Sequence, residues 1–211
     1  FDVIIGGGLK YFLPKRVSGE REDNRNLLDV LTSKNYSLPK NYSELKSLPK
    51  SIAKLYALFE MDALPESSKR NYSLGELTKS ALNHLKNDKD GFVLMIEGSQ
   101  IDWAGHDHKS KELIDEMKDF SSAITEALNF AKKDGNTLVV ITSDHETGGM
   151  SITKGNRDGS ELELSYTSGN HTPSPVGIFS FGPGEESFRG IMNINHIGQK
   201  LFKLLDPSFK L

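Results

Sequence analysis

Cysteine is absent from this 211-residue sequence, which excludes a disulfide framework and any metal site built on thiolates. A metal bound here must therefore accept oxygen and imidazole nitrogen. No apolar run approaches the roughly 18 residues of a membrane-spanning helix, and no basic-then-apolar signal segment opens the chain. The sequence predicts a globular protein without a membrane span.

An excess of charge of one sign is also lacking. The 26 basic and 29 acidic residues are interspersed and leave a net charge of −3, so no basic stripe could neutralise a phosphate backbone. Nucleic acid is therefore not an expected partner. Hydrophobic residues make up 36% of the chain, which is enough for a core at this length.

Buried-strand patterns alternate with helical patterns along the chain. This alternation predicts an α/β fold with a mostly parallel central sheet flanked by helices. We expect one domain over residues 1–211, with 153–175 as a short surface insertion. The apolar runs that predict strands are DVII (2–5), KLYALF (54–59), FVLMI (92–96), TLVVITSD (137–144) and VGIFSFG (176–182). Helical patterns follow at 27–31, between Pro39 and Pro49, after the capping box of Ser73 and Glu76, at 109–133 before Gly135, and at 194–205.

Acidic and imidazole groups lie next to three of these predicted strands. Glu97 follows FVLMI, Asp144 and His145 end TLVVITSD, and His171 precedes VGIFSFG. Ligands of such sheets bind beyond the carboxyl ends of the strands, so these groups are expected to converge on one edge.

Asp102 and His106 are four residues apart, which on one helical turn would place a carboxylate and an imidazole on the same side. Ligands drawn from Asp and His favour zinc, whereas Glu97 with other carboxylates and water would suit magnesium. His171 could complete either set. The remaining histidines, His84, His108 and His196, are expected to be packed or solvated rather than ligands.

Three motifs carry a resemblance to a known family. The stretches MIEGSQIDWAGHDH, VVITSDHETGG and HTPSPVGIFSFGPG resemble the alkaline phosphatases in order and approximate spacing, and DVIIGGGLKYF, NLLDVL, LYALF and FKLL are similar to flanking stretches of that family. The resemblance covers nearly the whole chain. Sulfatases, cofactor-independent phosphoglycerate mutases and nucleotide pyrophosphatases share the D-x-x-x-H or Asp-His elements. Glu97, five residues before Asp102, is typical of alkaline phosphatases.

The resemblance implies a phosphate monoester hydrolase with two zinc ions, one magnesium ion and a phosphoserine mechanism. Two neighbouring zinc ions suit this reaction, since one activates the nucleophile and the other stabilises the leaving oxygen. The family pattern assigns Asp102, His106 and His171 to the first zinc, Asp144 and His145 to the second zinc, and Glu97 to magnesium.

The sequence also departs from the family pattern. It has no D-S-A motif with the nucleophilic serine and no arginine in a phosphate-binding context, so no catalytic residue is expected in this chain. The chain starts without Met, directly in a predicted strand, which we interpret as the C-terminal half of an alkaline phosphatase whose N-terminal half is its partner. Trp103 stands where several members have Lys or His near the phosphate. Only 25 residues separate His145 from His171, fewer than in many members.

An alternative hypothesis is a complete, non-catalytic module that binds metal or phosphate. The resemblance further implies a homodimer and a periplasmic or secreted location.

Overall fold

The computed structural model describes residues 1–208, which form two compact units. The first unit contains residues 1–98 together with 118–123. The second contains residues 99–117 and 124–208. Both combine helices and strands, so the α/β class predicted from the sequence is confirmed.

The first unit is built around one parallel strand pair. Strand β1 (Val3–Gly6) pairs with β2 (Leu55–Leu58), so DVII and KLYALF form strands as predicted. The helices are α1 (Leu27–Ser33), α2 (Tyr42–Ser47) and α3 (Leu74–Leu85). Apolar side chains of β2, α2 and α3 form the core of this unit, in which Leu45, Leu55, Ala57 and Leu77 are each at most 4% exposed.

The predicted capping box opens α3. Ser73 Oγ accepts a hydrogen bond from the backbone N–H of Glu76 at 3.0 Å, and Glu76 Oε2 accepts one from the N–H of Ser73 at 2.9 Å. Two N–H groups of the first turn that lack helical partners are thereby satisfied.

We expect Ser73→Ala to lower the free energy of unfolding by about 1 kcal/mol, because the N–H of Glu76 loses its acceptor. Urea unfolding measures this change. Ser80→Ala is a matched control, since Ser80 is half-buried like Ser73 but lies in the interior of the same helix, away from the cap, and its effect should stay within about 0.5 kcal/mol. Equal losses in the two variants would contradict the capping role.

The second unit contains three antiparallel strand pairs. Strand β3 (Val139–Thr142) pairs with β8 (Ile178–Phe181). Strand β4 (Glu146–Thr147) pairs with β7 (His171–Thr172). Strand β5 (Ser151–Lys154) pairs with β6 (Glu163–Ser165). Most residues of this pair belong to the predicted surface stretch 153–175, which is largely exposed.

Three helices complete the fold: α4 (Gln100–His106), α5 (Ser110–Asp134) and α6 (Ile194–Leu205). Helix α5 ends at Gly135, whose φ of 77° is the left-handed conformation that glycine adopts readily at a helix C-terminus. No helix in residues 1–208 is both long and apolar enough to cross a bilayer.

The strand directions differ from the predicted mostly parallel sheet. Only β1 with β2 is a parallel pair among the strand pairs of residues 1–208. A short apolar run is compatible with either direction, because its composition reports burial and not the direction of its neighbour.

The stretch FVLMI, residues 92–96, does not form the predicted strand. It lies outside every strand of residues 1–208. Exposure still alternates along it as in a strand, with Val93 68% and Met95 86% exposed. The prediction was wrong because a strand requires hydrogen bonds to a neighbour, which an apolar run by itself cannot supply.

Candidate metal centre

Three predicted ligands come together in the second unit. Asp102 and His106 lie on one turn of α4, with Asp102 Oδ1 3.5 Å from His106 Nε2. Asp102 Oδ1 is also 3.4 Å from His171 Nε2, and the two Nε2 atoms are 3.1 Å apart. One donor atom from each residue lies within 4.8 Å of the other two, an arrangement that could hold a metal ion. Three protein ligands from Asp and His with an open fourth position are typical of a catalytic zinc site.

A backbone carbonyl orients the imidazole of His106. His106 Nδ1 lies 2.7 Å from the carbonyl oxygen of Gly169. A carbonyl oxygen only accepts hydrogen bonds, so Nδ1 carries the hydrogen and Nε2 presents its lone pair to Asp102 and His171. Metal-binding histidines are oriented in this way by a partner at the other ring nitrogen.

The second predicted ligand pair lies beside the first set. Asp144 and His145 follow β3, and Asp144 Oδ2 is 3.2 Å from His145 Nε2. The ring of His145 stacks on that of His171, with centroids 3.5 Å apart and an interplanar angle of 22°. The side chain of Asp144 is 80% exposed, so its carboxylate faces solvent.

Sequence reasoning missed Thr147, which touches both predicted sets. Thr147 Oγ1 donates to Asp102 Oδ1 at 2.5 Å and lies 3.2 Å from His145 Nδ1. The spacing carried a signal, because residues two apart in an extended chain share a face, and Thr147 follows His145 by two.

Glu146 anchors the turn that follows these ligands. Its carboxylate accepts hydrogen bonds from the backbone N–H groups of Gly149 and Met150, each at 3.0 Å, and from Thr172 Oγ1. Burial raises the pKa of the Glu146 carboxyl, but these hydrogen bonds, with a smaller contribution from His145, place that pKa below its usual value. The turn is thus fixed to β7, the strand that carries His171.

Two further predicted site residues are at least partly exposed to solvent. Glu97 belongs to the first unit and is exposed, directly after the stretch FVLMI. Trp103, between the two ligands on α4, is 49% exposed.

The three remaining histidines lie in the surroundings expected of packed or solvated residues. Buried His84 contacts the carbonyl oxygen of Ile52 at 2.7 Å. His108 Nε2 donates to the carbonyl of Ser168 at 2.7 Å, and His196 is exposed on α6.

Comparison with known proteins gives one consistent family. The alkaline phosphatase family profile matches residues 1–163. Alkaline phosphatase 3 of Bacillus subtilis (strain 168) is 29% identical over 283 aligned residues, covering 100% of this chain and 59% of that protein. The alkaline phosphatase of the Antarctic bacterium TAB5 superposes with a TM-score of 0.84 at 38% identity, covering 97% of this chain and 60% of that one. A cold-active alkaline phosphatase from a Shewanella species gives 0.82 at 25% identity, covering 97% and 65%.

The chain spans about 60% of the length of the relatives it matches over nearly all of its own length. A variant of the TAB5 enzyme has been solved with Mg bound in its M3 site. The profile match covers well over half of the chain, and the structural match extends over nearly all of it. The chain therefore belongs to the alkaline phosphatase family.

Proposed function

We propose that the protein containing this chain hydrolyses phosphate monoesters, and that these 211 residues supply most of its metal ligands. The observation that carries the proposal is the convergence of Asp102 Oδ1, His106 Nε2 and His171 Nε2. The hydrogen bond between His106 Nδ1 and the Gly169 carbonyl supports it, because it leaves Nε2 available as a ligand atom.

The donor types fit the proposed ions. A carboxylate with two imidazoles suits zinc, and His145 beside exposed Asp144 offers a second mixed nitrogen and oxygen pair. The carboxylate of Glu97 is a hard oxygen donor of the kind that magnesium prefers. We assign Asp102, His106 and His171 to the first zinc, Asp144 and His145 to the second zinc, and Glu97 to magnesium.

Bound zinc would supply Lewis acidity toward a phosphoryl oxygen and lower the pKa of a coordinated hydroxyl. The residues of this chain hold the ligand atoms in place, through the Gly169 carbonyl and through the fixed turn at Glu146. Trp103 is exposed between two ligands and would face the substrate side. The nucleophilic serine of a phosphoserine route would come from an N-terminal part of the same protein. A homodimer and an exported location complete this proposal.

Hydrolysis of a chromogenic phosphate monoester at alkaline pH tests the proposal. The complete gene product containing these residues and the 211-residue chain would be assayed side by side with added zinc and magnesium. We expect turnover only by the complete product, loss of turnover in His171→Ala, and retention in His196→Ala. His196 is a matched control because it is an exposed histidine on α6.

Two results would contradict the proposal in different ways. A complete product that binds zinc or phosphate without turnover would favour the alternative of a non-catalytic binding module. Turnover by the 211-residue chain alone, lost in His171→Ala, would show that hydrolysis needs no serine from another part of the protein.

A further inference from the structure

A single hydroxyl lies between the two predicted sets of metal ligands. Thr147 Oγ1 is 2.5 Å from Asp102 Oδ1, in the first set, and 3.2 Å from His145 Nδ1, in the second. Thr147 is half-buried at the end of β4. Its hydroxyl therefore connects residues that are assigned to different ions.

The hydrogen count of this contact fixes the direction of both bonds. A hydroxyl carries one hydrogen and two lone pairs, and an ionised carboxylate only accepts. The hydrogen of Thr147 is therefore directed to Asp102, and the imidazole must donate its Nδ1–H to Thr147 Oγ1. In a neutral ring this tautomer leaves the lone pair on His145 Nε2, which lies 3.2 Å from Asp144 Oδ2, so two acceptor atoms face each other as two ligands of one metal ion would.

The backbone around Thr147 fixes the position of this hydroxyl. Thr147 is paired with His171 across β4 and β7. Thr147 also packs closely against Gly105 of α4. A Cβ added to Gly105 would lie 3.1 Å from the carbonyl oxygen of Thr147 and 3.2 Å from its Cβ and Cγ2. Gly105 precedes the ligand His106, so this close approach holds α4 against the strand that carries the hydroxyl.

We propose that Thr147 is a positioning residue that couples the two metal sites, by orienting the Asp102 carboxylate and by selecting the Nδ1–H tautomer of His145. This inference rests on the proposed metal-dependent function. It assigns Thr147 no contact with substrate or with a metal ion.

Thr147→Val would keep the size and branching of the side chain but remove the hydroxyl. Asp102 then loses a hydrogen-bond donor and His145 Nδ1 loses its acceptor. Removal of such an outer partner typically weakens metal affinity about 10- to 100-fold, and we expect a loss in this range. Thr147→Ser retains the hydroxyl and should restore affinity to within a few-fold of wild type.

Zinc affinity would be measured on the complete gene product by competition with a chromogenic chelator, together with the absorption spectrum of the cobalt-substituted protein. Nitrogen-15 NMR of the histidine-labelled, metal-free protein reports the tautomer of His145 without reference to activity. Thr153→Val is the matched control, because Thr153 Oγ1 also hydrogen-bonds, to the carbonyl of Glu163 at 3.2 Å on an exposed strand. This control should leave affinity, cobalt spectrum and tautomer unchanged.

The outcomes separate this inference from the proposed function. Wild-type affinity, spectrum and tautomer in Thr147→Val would overturn the positioning role and leave the phosphatase proposal intact. Zinc binding that depends on Thr147 in a protein without turnover would overturn the phosphatase proposal alone. A loss that Thr147→Ser fails to restore would show that the site depends on packing at this position and not on the hydroxyl.

Discussion

Replacing His106 with alanine is expected to weaken zinc binding by more than about 100-fold and to remove hydrolysis by the complete protein. His106 Nε2 converges with Asp102 Oδ1 and His171 Nε2, so its loss leaves two of the three ligands of the first proposed ion. Loss of a direct ligand should exceed the 10- to 100-fold that loss of an outer partner costs. Chelator competition measures the affinity, and initial rates with a chromogenic ester measure the activity.

His196→Ala serves as the control for this variant and should retain wild-type values of both quantities. His171→Ala should match His106→Ala, since both imidazoles present Nε2 to the same point. A His106→Ala protein with unchanged zinc affinity would remove the assignment of His106 as a ligand. Loss of zinc affinity in one histidine variant but not in the other would mean that Asp102 shares the ion with a ligand other than the unaffected histidine.

Asp119→Ala is expected to lower the free energy of unfolding by about 1.5–3 kcal/mol, because it removes a buried carboxylate that accepts a charge-assisted hydrogen bond from the Arg70 guanidinium. Arg70 Nη2 donates to Asp119 Oδ2 at 2.6 Å, and the two side chains are only 5% and 8% exposed. Asp119 Oδ1 also accepts the backbone N–H of Leu74 at 2.9 Å. The variant therefore also removes an acceptor, and a negative charge, from the first turn of α3.

Urea unfolding would measure this loss against Asp62→Ala. Asp62 lies in the same unit and pairs with Lys10 at 2.6 Å, but its side chain is 71% exposed, so its removal should cost less than about 1 kcal/mol. Similar costs for Asp119→Ala and Asp62→Ala would show that burial adds nothing to the pair of Arg70 and Asp119.

The helices could be predicted from the sequence because their determinants are local. Ser73 and Glu76 are three residues apart and cap α3 by themselves, and Gly135 ends α5 by adopting a positive φ. The four-residue spacing of Asp102 and His106 likewise depends only on helical geometry. Sequence patterns that lie within a single helix were therefore interpreted correctly.

Features that depend on a distant segment could not be predicted in the same way. The direction of β3 is set by β8, almost 40 residues further along the chain. The orientation of His106 depends on the carbonyl of Gly169, and a backbone atom leaves no trace in residue identity. Thr147 lay within a motif already noted, but its role requires the close approach of α4. Residue types and spacing therefore indicated the candidate ligands, and tertiary contacts determine how these side chains are held.

The stretch FVLMI, residues 92–96, also affects the solubility of the chain. Five consecutive apolar residues without Pro, Gly or charge are the composition that favours intermolecular β-pairing. In the described chain this stretch belongs to no sheet, and Val93 and Met95 face solvent. Natural proteins normally shield such a segment with charges, bulges or a covering element. Self-association through these five residues would therefore set an upper limit on the concentration at which the 211-residue chain remains monodisperse.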